Sequence, residues 1–297
     1  MSQTVIEVKS LSKVYKDATA VDNVSFTIEA NKIYGLLGRN GAGKTTIMQM
    51  ITAQLFPSQG EIRVFGEHPY ENQKVIRQVC FIKEGQKYPD IFTVKDVMGI
   101  AANVYPNWDA AYANKLIEVF RLPMKRLVKR LSRGMLSSVG IIVGLASRAP
   151  VTIFDEPYLG LDAVARELFY DHLIEDYTNH PRTIILSTHL IDEVSRLLEH
   201  IIVIDSGRIL LDDATDDLRG RAFKIVGPSG TVESFIQGQE VIHRESFASM
   251  LSVTVMGSSA TTKLQKEAEE LGLETTLVSL QQLIVYLTKR EKVGIQP

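Results

Sequence analysis

Short, wholly apolar runs alternate along this chain with longer stretches in which apolar residues recur every three to four positions, and the alternation persists to about residue 210. Residues 33–37, 152–154, 183–187 and 201–205 read as apolar on both faces, as strands sandwiched between helical layers must be. They predict a mostly parallel central sheet covered by helices. Further strands are predicted at 6–8 and 79–82, and an amphipathic helix at 47–55. Between 90 and 147 the strand signal stops and helical spacing takes over, with Leu116, Ile117, Val119 and Phe120, then Ile141, Ile142, Val143 and Leu145. A helical subdomain inserted into the α/β core is expected there. Beyond the turn Ser206-Gly207-Arg208 lies an acidic stretch, Asp212, Asp213, Asp216 and Asp217, and a boundary is expected near residue 220. The remainder mixes strand patterns (222–226, 241–247, 251–256) with helix patterns (261–271, 280–290) and predicts a small α+β module.

With 297 residues, of which 45% are hydrophobic, the chain can bury one large core or one large and one small core. The expected division is a main domain at 1–220 and an accessory domain at 221–297, for dimerisation or regulation. The apolar runs fall far short of the ~18–20 residues that a membrane-crossing helix needs, so a soluble chain is expected. Met1-Ser2-Gln3-Thr4-Val5 lacks the basic-then-apolar layout of a secretory signal, and neither end carries a lipidation motif; a cytosolic address follows as an expectation. Cys80 is the single cysteine, which excludes an intrachain disulfide and a cysteine-based zinc site and reads as a small buried residue. A net charge of −2 gives no general pull toward nucleic acid or anionic lipid. No nucleic-acid partner is expected, and any membrane contact should run through protein.

Chemistry concentrates in two places. Gly38-Arg39-Asn40-Gly41-Ala42-Gly43-Lys44-Thr45-Thr46 fits G-x-x-x-x-G-K-[ST], between a strand pattern and a helix pattern. The glycines let backbone wrap phosphate oxygens, and loop N–H groups with the helix N-terminus present positive charge to an anion. Lys44 is expected to reach the β- and γ-phosphates of a nucleotide, and the Thr45 hydroxyl to ligate Mg²⁺. Four fixed positions match by accident about once in a hundred chains of this length, given glycine at ~7%. The second place is Val151-Thr152-Ile153-Phe154-Asp155-Glu156-Pro157, an apolar strand ending in two carboxylates. Paired with the loop, Asp155 is expected to hold Mg²⁺ through water, and Glu156 to orient or deprotonate the attacking water. Alternation along a strand would let the two acids divide these tasks.

On these motifs the chain resembles the ATP-binding cassette (ABC) ATPases through roughly its first 215 residues. The resemblance implies an α/β P-loop NTPase fold with a mostly parallel core, an antiparallel β part and a helical subdomain, binding ATP with Mg²⁺. Tyr15, after the first strand, matches the aromatic that stacks on adenine. Leu131-Ser132-Arg133-Gly134-Met135 stands where the family has Leu-Ser-Gly-Gly-Gln; Ser132 and Gly134 match, Arg133 and Met135 do not. In the family this motif caps the γ-phosphate of ATP held by the other subunit. Gly160-Leu161-Asp162 matches the loop that crosses the dimer interface, and His189 the switch histidine that contacts the γ-phosphate. The glutamine that touches Mg²⁺ and relays to the membrane partner aligns with Glu84, and Gln86 is the alternative.

The implied function is the ATP-hydrolysing subunit of a transporter, a homodimer or a heterodimer with a related ATPase, peripheral on the cytoplasmic face of the membrane through a membrane-spanning partner on a separate chain. The altered signature resembles the branch that exports drugs, antimicrobial peptides and bacteriocins. An importer subunit and a soluble ABC ATPase acting on nucleic acid or the ribosome are the alternatives.

Overall fold

The computed structural model describes residues 3–257 and 261–293. Residues 1–2, 258–260 and 294–297, which fall within the N-terminal reading and the module expected at 221–297, lie outside the described residues. Two compact units form, one from Met1–His189 with Ile204–Ile209, the other from Leu190–Val203 with Leu210–Pro297.

The first unit begins with β1 (Thr4–Tyr15), β2 (Ala18–Glu29), β3 (Ile33–Leu37), α1 (Lys44–Ile51), β4 (Gln59–Val64), α2 (Gln73–Ile76) and β5 (Val79–Ile82). It continues through α3 (Val94–Val104), α4 (Ala110–Val119), α5 (Arg133–Ala146), β6 (Val151–Asp155), α6 (Ala163–Asn179) and β7 (Thr183–Thr188). β2, β1 and β4 make a three-stranded antiparallel sheet. Only a fragment of it, 6–8, is expected from sequence. β5, β6, β7 and β3 lie side by side and parallel, with Phe154 opposite Leu186 and Leu37 opposite Thr188. Every residue of β3, β6 and β7 is buried, which explains why these strands lack a polar face. Parallel neighbours bring the carboxyl ends of β3, β6 and β7 to one edge, where open α/β sheets take their ligands.

Helices α3, α4 and α5 fill the stretch read as helical. Thr93 and Asp96 close a reciprocal capping box at the start of α3, and Asp109 caps α4. Helix α5 is buried from Ser138 to Ala146, so this helix belongs to the core. A buried charge cluster ties α6 to its surroundings: Arg182 lies 2.6 Å from Asp176, and Arg148 bridges Asp176 at 3.2 Å and Asp109 at 3.0 Å. Removing the shared acid leaves the buried Arg182 guanidinium without its counter-charge and Arg148 with Asp109 alone. Asp176→Ala is therefore expected to destabilise the chain by about 3–5 kcal/mol, read as a lower urea midpoint at unchanged slope. A loss under ~1 kcal/mol would mean that the cluster is relaxed by solvent.

The second unit takes up α7 (Ile191–Val194) and most of β8 (His200–Asp205) and β9 (Arg208–Ala214), then α8 (Thr215–Leu218). It closes with β10 (Ala222–Pro228), α9 (Ser229–Phe235), β11 (Glu240–Phe247), β12 (Met250–Met256), α10 (Thr261–Glu270), β13 (Glu274–Leu277) and α11 (Leu280–Val293). The four strands β10 to β13 form an antiparallel sheet in the order β11-β12-β10-β13. This βαββαβ succession is the ferredoxin-like arrangement. Phe223, Ile225, Leu251, Val253 and Val255 pack with Val232 of α9 and Ala268 of α10 on one face. Ala222 and Ile242 pack with Leu283 of α11 in a second cluster. Tyr286 of α11 stacks on His243 at 4.0 Å.

Cys80 is buried, and burial pushes its thiol above the ordinary value. Among the described residues no helix is long and apolar enough to cross a membrane.

Candidate functional site

Gly38 leaves β3 with φ +153°, and a Cβ there would stand 2.1 Å from the Ile204 carbonyl oxygen. Only glycine fits this close approach. The loop then runs into α1, whose first residue is Lys44. The Lys44 side chain is 6% exposed; its Nζ donates to the Gly38 carbonyl at 2.8 Å and the Arg39 carbonyl at 3.2 Å, and lies 4.0 Å from Glu156 Oε1. Burial holds the ammonium below its ordinary pKa, opposed by the charges of Glu156, Asp155 and Glu84. Asn40, Gly41, Ala42, Gly43, Lys44, Thr45 and Thr46 line one cleft with Ala20, Glu84, Asp155 and Glu156.

The Thr45 hydroxyl donates to Asp155 Oδ2 at 2.8 Å, and Ser187 donates to Oδ1 at 2.8 Å. Asp155 is the last residue of β6. Glu156 lies beyond the strand, with φ +49°. Strand alternation therefore does not divide the two acids, as the sequence suggests; a left-handed turn does, and it leaves both carboxylates lining the same cleft. Glu156 is buried, and its Oε2 stands 2.9 Å from His189 Nδ1, just past β7.

Tyr158 is the residue that sequence reasoning missed. Its hydroxyl donates to Glu156 Oε2 and accepts from Thr188 Oγ1 at 2.9 Å and the His189 amide at 3.0 Å. Burial, then the bond to Glu156, raises its pKa beyond the ordinary tyrosine range, so it is a neutral donor. Its only signal in the sequence is a large aromatic in the short turn Pro157-Tyr158-Leu159 between Glu156 and Gly160.

Ser132 caps α5, accepting from the Met135 amide at 3.2 Å. Arg133 is exposed, and Gly134 abuts the loop before α6: a Cβ on Gly134 would meet the Gly160 carbonyl oxygen at 2.6 Å. Asp162 caps α6 through the Ala165 amide at 2.8 Å. Tyr15 is 43% exposed at the end of β1, with Lys13 Nζ 5.2 Å from its ring centre. It pairs with Ala18 across the hairpin that carries Ala20 into the cleft. Glu84 lines the Lys44 cleft and Gln86 does not; Gln86 lines the neighbouring hollow that holds Arg133. The fold thus brings Lys44, Thr45, Glu84, Asp155, Glu156 and His189 together, and sets Ser132, Gly134 and Asp162 around the tips of α5 and α6.

Among the described residues no group of three or more His, Cys, Asp or Glu side chains could hold a metal by itself. The cleft fits Mg²⁺ in another way: it offers oxygen donors from Thr45 and Asp155, and the carboxylates of Glu84, Asp155 and Glu156 outnumber Lys44. A cation that shares its shell with phosphates and water needs no more.

The family model described as ABC transporter matches residues 21–159. The chain is 31% identical over 223 residues to the bacitracin transport ATP-binding protein BcrA of Bacillus licheniformis, covering 73% of this chain and 72% of that one. It is 33% identical over 224 residues to the Nod factor export ATP-binding protein I of Paraburkholderia xenovorans, covering 73% of each. Among solved structures, the ATP-binding subunit of an ABC transporter superposes with a TM-score of 0.65 at 27% identity, over 72% of this chain and 91% of that one.

Proposed function

Because this chain belongs to the ABC transporter family as an ATP-binding, ATP-hydrolysing subunit, we propose that it works in pairs that close around two ATP molecules and drive a membrane-spanning subunit carried on a separate chain. One observation carries the pairing. Lys44, Thr45, Glu84, Asp155 and Glu156 line one cleft, and the capping Ser132 of the same chain is not among its lining residues. A two-fold axis would supply a second Ser132 to cover each nucleotide. The tip of α5 offers that nucleotide free backbone N–H groups and a positive helix end.

In the closed pair Lys44 and the loop amides would hold the β- and γ-phosphates, Tyr15 would stack on the base, and Glu156 would take the proton of the attacking water. His189 would contact the γ-phosphate. Thr45 and Asp155, with Glu84 at hand, would hold Mg²⁺, which would neutralise phosphate charge. Hydrolysis turns one anion into two that repel, and loss of those contacts opens the pair.

A hollow lined by Phe81, Tyr88, Phe92, Ile100 and Val104 suits an amphipathic helix of the membrane partner, since Ile100 and Val104 are 46% and 49% exposed. This contact would place the chain peripherally on the cytoplasmic face. Export of a drug, peptide or other amphipathic compound is favoured over uptake by the Nod factor export relative. No nucleic-acid partner is proposed.

Variants with one added cysteine, Asn40→Cys and Ser132→Cys, test the pairing when mixed, because the native Cys80 is buried and does not compete. A disulfide between chains is expected with Mg²⁺ and a non-hydrolysable ATP analogue, and none without nucleotide. Equal cross-linking in both conditions, or none in either, would overturn the pairing.

A further inference from the structure

The Tyr158 hydroxyl has no part in the roles assigned so far, yet it holds the centre of the buried polar group behind the cleft. Tyr158 is 3% exposed. A phenol has one proton and two lone pairs; the proton goes to Glu156 Oε2, and the lone pairs take Thr188 Oγ1 and the His189 amide. The same hydroxyl oxygen also stands 3.1 Å from His189 Nδ1. His189 Nδ1 also lies 2.9 Å from Oε2. The other carboxylate oxygen, Oε1, is buried without a hydrogen-bond partner, 4.0 Å from Lys44 Nζ. One oxygen of the acid is pinned and the other is kept unbonded, and each such buried group requires an explanation.

We propose that Tyr158 is a positioning residue for hydrolysis: it fixes Oε2 of Glu156 to the Thr188–His189 strand end, so that Oε1 is the oxygen presented to the attacking water. Glu156 sits on left-handed backbone, φ +49°, just outside the ladder that holds Asp155. Its side chain needs a fixed point, and Tyr158 bonds at the same time to that chain end and to β7. Tyr158 does not line the cleft of Lys44, Thr45 and Asp155. Its effect therefore falls on the orientation of the base and leaves nucleotide affinity untouched. The idea rests on the ATPase reading above.

The test uses the full chain, with steady-state ATP hydrolysis and equilibrium ATP binding measured side by side. Tyr158→Phe keeps the ring and its edge contact with His189, whose ring centre is 5.6 Å away, and removes only the oxygen. Its kcat is expected to fall about 10- to 100-fold, the scale of a small misplacement of a reacting group, with KM and the ATP dissociation constant unchanged. Thr188→Val removes one arm of the same hydroxyl, so it should lower kcat less. The double variant should be no slower than Tyr158→Phe alone, because both act through one group. Unchanged kcat in Tyr158→Phe overturns the proposal. So does a fall in kcat matched by weaker ATP binding, or a double variant in which the two losses multiply. Should Tyr158→Phe fail to fold, normal turnover in Thr188→Val overturns it. A parent chain that does not hydrolyse ATP refutes the ATPase reading first, before any variant is compared.

Discussion

Lys44→Ala is expected to lower kcat/KM for ATP by about 10²–10³-fold, the loss that follows removal of one preorganised charge-stabilising group from a water-poor site. The side chain is almost wholly buried and faces three carboxylates, so its ammonium is the cation of the cleft that can meet a phosphate directly. That ammonium is held by the Gly38 and Arg39 carbonyls. These bonds keep the charge inside the loop, ready to be exchanged for phosphate oxygens. Alanine leaves the loop glycines in place but removes the charge, so both binding and turnover suffer. Phosphate release and titration with a fluorescent nucleotide check the two parts. Turnover within about threefold of the parent, about half of one decade of 1.36 kcal/mol, would remove Lys44 from the site.

Glu156→Gln is expected to behave differently. It should lose about 10²–10⁴-fold in kcat, the contribution of a positioned general base, while ATP binding persists. Glutamine keeps the size of the side chain and an oxygen for the Tyr158 hydroxyl, so the turn after β6 should hold its shape. Nucleotide then enters and is not consumed. With Mg²⁺ and ATP the variant should elute from size-exclusion chromatography at twice the parent mass. A variant that hydrolyses normally removes Glu156 from the chemistry, and a variant that binds ATP yet stays monomeric removes the paired mechanism.

The parts legible in the sequence are those whose chemistry is compressed into a few consecutive residues. The loop from Gly38 to Thr46 and the pair Asp155-Glu156 state their requirements locally, and the fully apolar β3, β6 and β7 admit few readings. Strands β2 and β4 are harder to read because their half-exposed faces carry Asp22, Asn23, Gln59, Glu61 and Arg63 among the apolar positions. In the second unit, α9 and β13 are seven and four residues long, too short for periodicity to speak. Tyr158 was hidden for another reason: its partners Thr188 and His189 lie 30 and 31 residues on. Asp162 is legible as part of a motif, while its use as the cap of α6 becomes visible only once the helix start is known.

Gly134 lies flush against Gly160, backbone on backbone, with no side chain on either residue to act as a washer. Such a seam behaves like a rivet. A displacement of the turn that follows Glu156 would act directly on the first turn of α5, because backbone meets backbone there. If a chain lends that helix tip to its mate, the tip carries news of the lender's own hydrolytic acid, and two engines coupled in this way would have reason to fire in turn.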